Sequence, residues 1–196
     1  IYEGESVHLN AKVYSKYAFS KYGYTPYSVD GKHDEYEIQS TNPLALVEEQ
    51  IGGESYYALE LDNRVFFPVT SGTYRVEPFG VDIVDRRIYR VNADKKNIAV
   101  KSLPTKNRPV SFNGLVGDFT FEAELSNNEA GLNEVITLQL TITGEGNLHH
   151  AIAPELSLPA EVELYADPVE TKGYKIGTNG FKGALNYTYP LKVVKK

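Results

Sequence analysis

The sequence predicts an all-β chain built as two tandem β-sandwiches, and three observations lead there. Aromatic residues that suit a pleated, half-buried surface are abundant, with 15 Tyr and 8 Phe among 196 residues. Apolar and polar residues alternate with period two in several short stretches. Turn residues punctuate those stretches at a spacing of about 8–12 residues, the rhythm of a sandwich. No window sustains a helical apolar stripe. The nearest, Ser126 to Val135, is interrupted by Gly131 and two Asn.

Taken in order, Val7 to Val13 alternates as a strand with one buried face. Tyr14 to Tyr27, ahead of Asp30-Gly31, carries Gly and Pro and reads as a loop or irregular edge. Leu44 to Gln50 is a short strand. Ile51-Gly52-Gly53-Glu54 is a hairpin turn, because Gly accepts positive φ without steric cost. Tyr56 to Leu61 and Val65 to Val69 return as strands. Ser71-Gly72 turns the chain into Thr73 to Pro78, and Phe79 to Val84 continues it. Lys95-Lys96-Asn97 is a turn, and Ile98 to Val100 is the last strand of the first domain.

Two prolines and several polar residues at Leu103 to Pro109 mark a short, stiff linker, so the domains run 1–103 and 104–196. Beyond it, Phe119, Phe121, Ala123 and Leu125 share one face and Thr120, Glu122 and Glu124 the other. Ile136, Leu138, Leu140 and Ile142 alternate likewise, and Gly144 to Asn147 reads as a turn. Leu156 to Pro159 leads into Val162-Glu163-Leu164. Leu185, Tyr187, Tyr189, Leu191 and Val193 form the final alternating strand. Pro190 lacks a ladder donor, which predicts an edge position.

Composition excludes several function classes. The net charge is −6, with 8 basic and 11 acidic residues from Leu103 onward and 12 and 15 before it. Neither half offers the basic face that tracks phosphates, so no nucleic-acid partner is expected. The absence of Cys removes disulfides, thiolate metal sites and Cys nucleophiles. No apolar run reaches the about 18 residues of a membrane span. The chain opens at Ile1 without a signal peptide, as a segment of a longer protein would.

Candidate chemistry is sparse. The histidines are His8, His33, His149 and His150, and no G-x-S-x-G elbow accompanies them. His8 falls on a polar strand face and His33 in a loop. His149 and His150 are adjacent, so in a strand they would point to opposite faces. Asp30, Asp34, Glu35 and Glu37 surround Gly31 in an acidic loop that lacks the calcium-loop spacing. No catalytic residue, metal ligand or cofactor is assigned. The most suggestive feature is an aromatic cluster of Tyr14, Tyr17, Phe19, Tyr22, Tyr24 and Tyr27. These rings either roof the core of the first domain or form a partner-binding face carried by Tyr17, Phe19, Tyr22, Tyr24 and Tyr27.

Two stretches carry a family resemblance. Arg108-Pro109-Val110-Ser111-Phe112-Asn113-Gly114-Leu115-Val116-Gly117-Asp118-Phe119 resembles the P-x-x-F-x-G-x-V-G-x-F opening of a domain in the BatD-like aerotolerance family. Thr143-Gly144-Glu145-Gly146-Asn147-Leu148 resembles that family's G-x-G-N-L turn, and Pro154, Leu158-Pro159 and Glu163 to Pro168 continue the pattern. In the first domain, Phe67 to Pro78 is similar to F-P-x-x-S-G-x-x-x-I-x-P. The family's closing P-R-x-x-G-x-x-x-I-P pattern is absent after Tyr189. The resemblance implies immunoglobulin-like sandwiches on the periplasmic side of a membrane-anchored chain, with no catalysis. It also implies protein partners, among them von Willebrand factor A domain membrane proteins. A carbohydrate-binding or adhesin-like sandwich is the alternative role.

Overall fold

The computed structural model describes residues 1–39, 45–84 and 86–195. The chain is all-β, with its strands in antiparallel sheets. It divides into two compact units, Ile1–Arg108 and Pro109–Lys196.

In unit 1 the strands are β1 (Val7–Ser15), β2 (Tyr22–Thr25), β3 (Ser28–Asp30), β4 (His33–Glu37) and β5 (Val47–Ile51). They are followed by β6 (Glu54–Pro68), β7 (Gly72–Glu77), β8 (Gly80–Val84), β9 (Ile88–Asn92) and β10 (Lys96–Val100). Strand β6 is the spine. Strand β1 pairs along one of its edges, and β4 and β5 share the other edge at opposite ends. Gly52 and Gly53 both adopt positive φ (61° and 83°), which closes the two-residue β5–β6 hairpin with the twist its strands need.

Two smaller sheets, β10-β7-β3 and β9-β8-β2, face this one. They are the two halves of one kinked layer. Each of its three chain passages breaks at the same level: Pro26-Tyr27 between β2 and β3, Pro78-Phe79 between β7 and β8, and Ala93 to Lys95 between β9 and β10. The two prolines cannot donate to a ladder, so the pairing stops there. The core is split accordingly. Phe66, Tyr74 and Val100 form one buried cluster, and Val13, Leu59 and Val81 form the other.

Several expectations are corrected. Tyr56 to Val69 holds one strand, not two, because Asp62-Asn63-Arg64 continue the β6 ladder opposite Ala11, Asn10 and Leu9. Of the two readings for the Tyr-rich stretch, edge and not loop applies to Tyr22 to Thr25, which, like Ser28 to Asp30 just beyond, is a short strand at the edge of its sheet. His33, Asp34, Glu35 and Glu37 lie in β4, so the acidic loop is a strand whose charges alternate between faces. Strand β9 went unread because all five of its residues are exposed and no burial pattern marks it. The predicted strand from Leu44 begins partly outside the described residues; β5 starts at Val47.

Unit 2 is a five-stranded sheet of β11 (Gly117–Leu125), β12 (Val135–Gly146), β13 (Val162–Leu164), β14 (Val169–Gly177) and β15 (Gly180–Val193). Leu140, Ile142, Leu185, Tyr187, Tyr189 and Leu191 project from one face of β12 and β15, as their alternation predicts. The non-strand segment after β12 covers that face with Leu148, Ala151, Ala153, Leu156 and Leu158. The Tyr189 hydroxyl donates to the Pro154 carbonyl at 2.7 Å and pins the segment down.

Strand β15 is central, not an edge. Pro190 is tolerated because it falls in the gap between β13 and β14, which share one edge of β15. The Gly144–Asn147 turn is also corrected: β12 runs through Gly146, and its glycines serve close approach. A Cβ on Gly144 would collide with the Asp118 backbone of β11. The chain leaves the strand at Asn147, which is 1% exposed. Its side chain accepts from the Val116 amide at 2.6 Å and donates to the Gly114 carbonyl at 3.0 Å. The two motifs that carry the family resemblance in this unit are thus clamped to each other. Replacing Asn147 by Ala strips two buried backbone groups of their partners and lowers unfolding stability by about 3 kcal/mol in denaturant titration.

Candidate interaction surface

The five aromatics singled out from the sequence go to different places. Tyr17 is 82% exposed. Phe19, Tyr22 and Tyr24 are half-buried against Val13, Leu59 and Val81. Tyr22 and Tyr24 alternate with the exposed Gly23 on β2, so both rings point inward, and Phe19 meets Tyr22 edge-on at 6.2 Å. Tyr27 is buried at the kink.

At that level the interior of unit 1 is polar. Asp62 lies on the inner face of β6, and its side chain is 7% exposed. It accepts from the Tyr24 hydroxyl at 3.2 Å and from Arg64 Nε at 2.7 Å. Arg64 Nη1 donates to Glu35 on β4 at 3.1 Å, and the guanidinium lies 5.8 Å from the centre of the Tyr27 ring. A cavity of about 230 Å³ opens beside this layer, walled by Leu9, Ala11, Tyr27, Val76 and Phe79. The Tyr27 hydroxyl is buried and finds no hydrogen-bond partner among the described residues. Burial, reinforced by the negative charge of Asp62, pushes both the Tyr24 and Tyr27 phenols well above their ordinary range. Tyr24, Asp62, Arg64 and Glu35 satisfy one another around the buried Asp62 carboxylate, with Arg64 and Glu35 reaching partly into solvent, as in a structural polar layer.

The histidines are reassigned. His8 bonds Asn63 at 2.7 Å on the exposed face of the β1–β6 ladder. His33 opens β4 and packs 5.3 Å from Phe66 instead of sitting in a loop. His149 and His150 lie in a short 3-10 turn, Leu148–His150, and not in a strand. Their rings are 4.1 Å apart, so the opposite-face geometry expected for a strand does not apply.

The feature that sequence reasoning passed over is the outer strand of unit 2. Strand β11 pairs with β12 alone, so among the described residues its second edge is open. Phe121, Ala123 and Leu125 stand opposite Ile142, Leu140 and Leu138 and so share the core face of the sheet. The covering segment does not reach them. Phe121 is 58% and Leu125 46% exposed. The other face of β11 carries Asp118, Thr120, Glu122 and Glu124, all exposed. The alternation was legible; the openness depends on the strand order, which no single strand reveals.

The chain matches no known protein-family model, no curated protein and no solved structure. The likeness to the aerotolerance family rests on the quoted motifs alone. None of the described helices is long and apolar enough to cross a membrane.

Two substitutions separate core from surface. Tyr17→Ala changes stability by less than about 0.5 kcal/mol, whereas Asp62→Ala costs about 2 kcal/mol because the Tyr24 hydroxyl loses its acceptor and Arg64 keeps only Glu35. A third tests the buried phenol. The folded chain keeps Tyr27 neutral beyond its ordinary pKa of 10.0, where the unfolded chain ionises. Its share of stability is therefore complete below that pH and is lost as pH rises further. Tyr27→Phe leaves stability at neutral pH equal or higher, and shifts the alkaline unfolding midpoint upward.

Proposed function

We propose that this chain is a non-catalytic protein-interaction segment that works by strand addition at β11. One observation carries the reading: a nine-residue strand with an open edge also exposes the apolar side chains of its core face. Edge strands of this kind template pairing with another chain, and main-chain hydrogen bonds then supply affinity. The ion-paired cluster of Asp62, Arg64 and Glu35 supports a structural and non-catalytic role, since these groups satisfy one another within unit 1.

The setting we propose comes from the motif resemblance. The chain is the extracytoplasmic, immunoglobulin-like part of a membrane-anchored scaffold of the BatD-like aerotolerance kind, and its partners include membrane proteins with von Willebrand factor A domains. The inward orientation of Tyr22, Tyr24 and Tyr27 favours this over the carbohydrate-binding alternative, because rings packed on a core offer no platform for a sugar.

A photo-crosslinking residue at position 121, introduced into the protein in its native membranes, tests the reading. The expected product is a crosslink to a membrane protein bearing a von Willebrand factor A domain. Crosslinks to such a protein from position 17 but none from position 121 would move the interface to unit 1 and overturn the role of β11.

A further inference from the structure

We propose that the β11 edge receives an extended partner segment in which basic and apolar residues alternate. This rests on the interaction reading above and adds the chemistry of the partner.

Beyond the charges of its outward row, the edge lacks the usual protections. Strands exposed to solvent are normally blunted by Pro, Lys, inward-pointing charges or a bulge. Strand β11 has no Pro or Lys, its inward row is Phe119, Phe121, Ala123 and Leu125, and its register with β12 runs unbroken from Gly117 to Leu125. An added strand would continue the sheet by the same period-two rule. Its inward side chains would lie beside Phe121 and Leu125 and complete the apolar cover that the segment after β12 leaves unfinished.

The outward row selects the partner's charge. Glu122 and Glu124 stand opposite Thr141 and Gln139 on β12, so the sheet supplies no cation beside them. Neither they nor Asp118 form an ion pair among the described residues. Opposite charges across a strand pair are favourable and like charges unfavourable. Lys or Arg at alternate positions of the incoming strand would therefore meet these carboxylates directly. A second copy of the chain fits poorly. Antiparallel self-pairing centred on Phe121 sets Asp118 against Glu124, and centring on Glu122 sets that residue against its own copy.

The test uses the full chain and two synthetic peptides, one alternating Lys with Val and Leu, the other with Glu in place of each Lys. The basic peptide should bind about tenfold more tightly at low salt, consistent with two favourable cross-strand pairs exchanged for repulsive ones. E122K/E124K should reverse that preference, and F121K should weaken both peptides, each variant being checked for an unchanged far-ultraviolet spectrum. Equal binding of the two peptides, or a preference indifferent to E122K/E124K, overturns the proposed charge pattern. The crosslink from position 121 would stand in that case, so failure here is distinct from failure of the interaction reading. Binding by the basic peptide that survives F121K places it elsewhere and also overturns the proposal. Sedimentation of the unliganded chain as a dimer that F121K dissolves would assign the edge to a second copy instead.

Discussion

Unit 1 must pack a continuous ladder against a layer that is broken across its middle, and a carboxylate at the level of the break makes this possible. The kink leaves the Tyr24 hydroxyl, the Arg64 guanidinium and the Tyr27 ring facing the interior between two apolar clusters. The Asp62 side chain is buried there, and leaving its carboxylate unpaired would be costly. Asp62 accepts from both Tyr24 and Arg64, and Arg64 carries the connection on to Glu35. Strands β2, β4 and β6 are thereby fixed relative to one another by directional bonds, while the clusters on either side supply non-directional burial. The β1–β6 register shifts between Ala11 and Lys12, directly beside Asp62, so the ladder bends where the facing layer does.

The parts of the fold that were legible in the sequence are those where one strand face meets solvent and the other meets core. Ile136 to Ile142 and Leu185 to Val193 alternate cleanly for that reason. Where the interior is polar, the same logic misleads. Asp62-Asn63-Arg64 resembles a turn on hydropathy, yet two of its three side chains serve the inside of unit 1. Tyr22-Gly23-Tyr24 keeps period two, but the flanking Pro26 and the missing side chain of Gly23 hide it. Strand β14 went unread, because its first five residues are all exposed and no burial pattern marks them.

Gly52 and Gly53 close the hairpin their sequence signals, but Pro190 and Gly144 were legible as special positions and misread in kind. Pro190 marks a gap between two neighbouring strands, not the rim of the sheet. Gly144 and Gly117 let β11 and β12 approach where side chains would separate them. The candidate site was half visible: the alternation of β11 is local, whereas its open edge and unfinished cover follow from which strands arrive beside it.

The central place of β15 also sets the order in which unit 2 can be made. Strand β12 pairs with β15 from Val135 opposite Lys192 to Gly146 opposite Phe181, so its first residues wait for partners far downstream in the chain. While the chain is still on the ribosome, β11 and β12 can form their local hairpin, but β12 lacks its second ladder, and its apolar face lacks Leu185, Tyr187, Tyr189 and Leu191, until residues 180–193 have emerged. The nascent unit therefore holds two adjacent sticky strands for several seconds at typical elongation rates of about 5–20 residues per second. Only the inner of the two is covered when synthesis passes β15. The acidic row on β11 would set like charges against each other wherever two such nascent copies met through that strand.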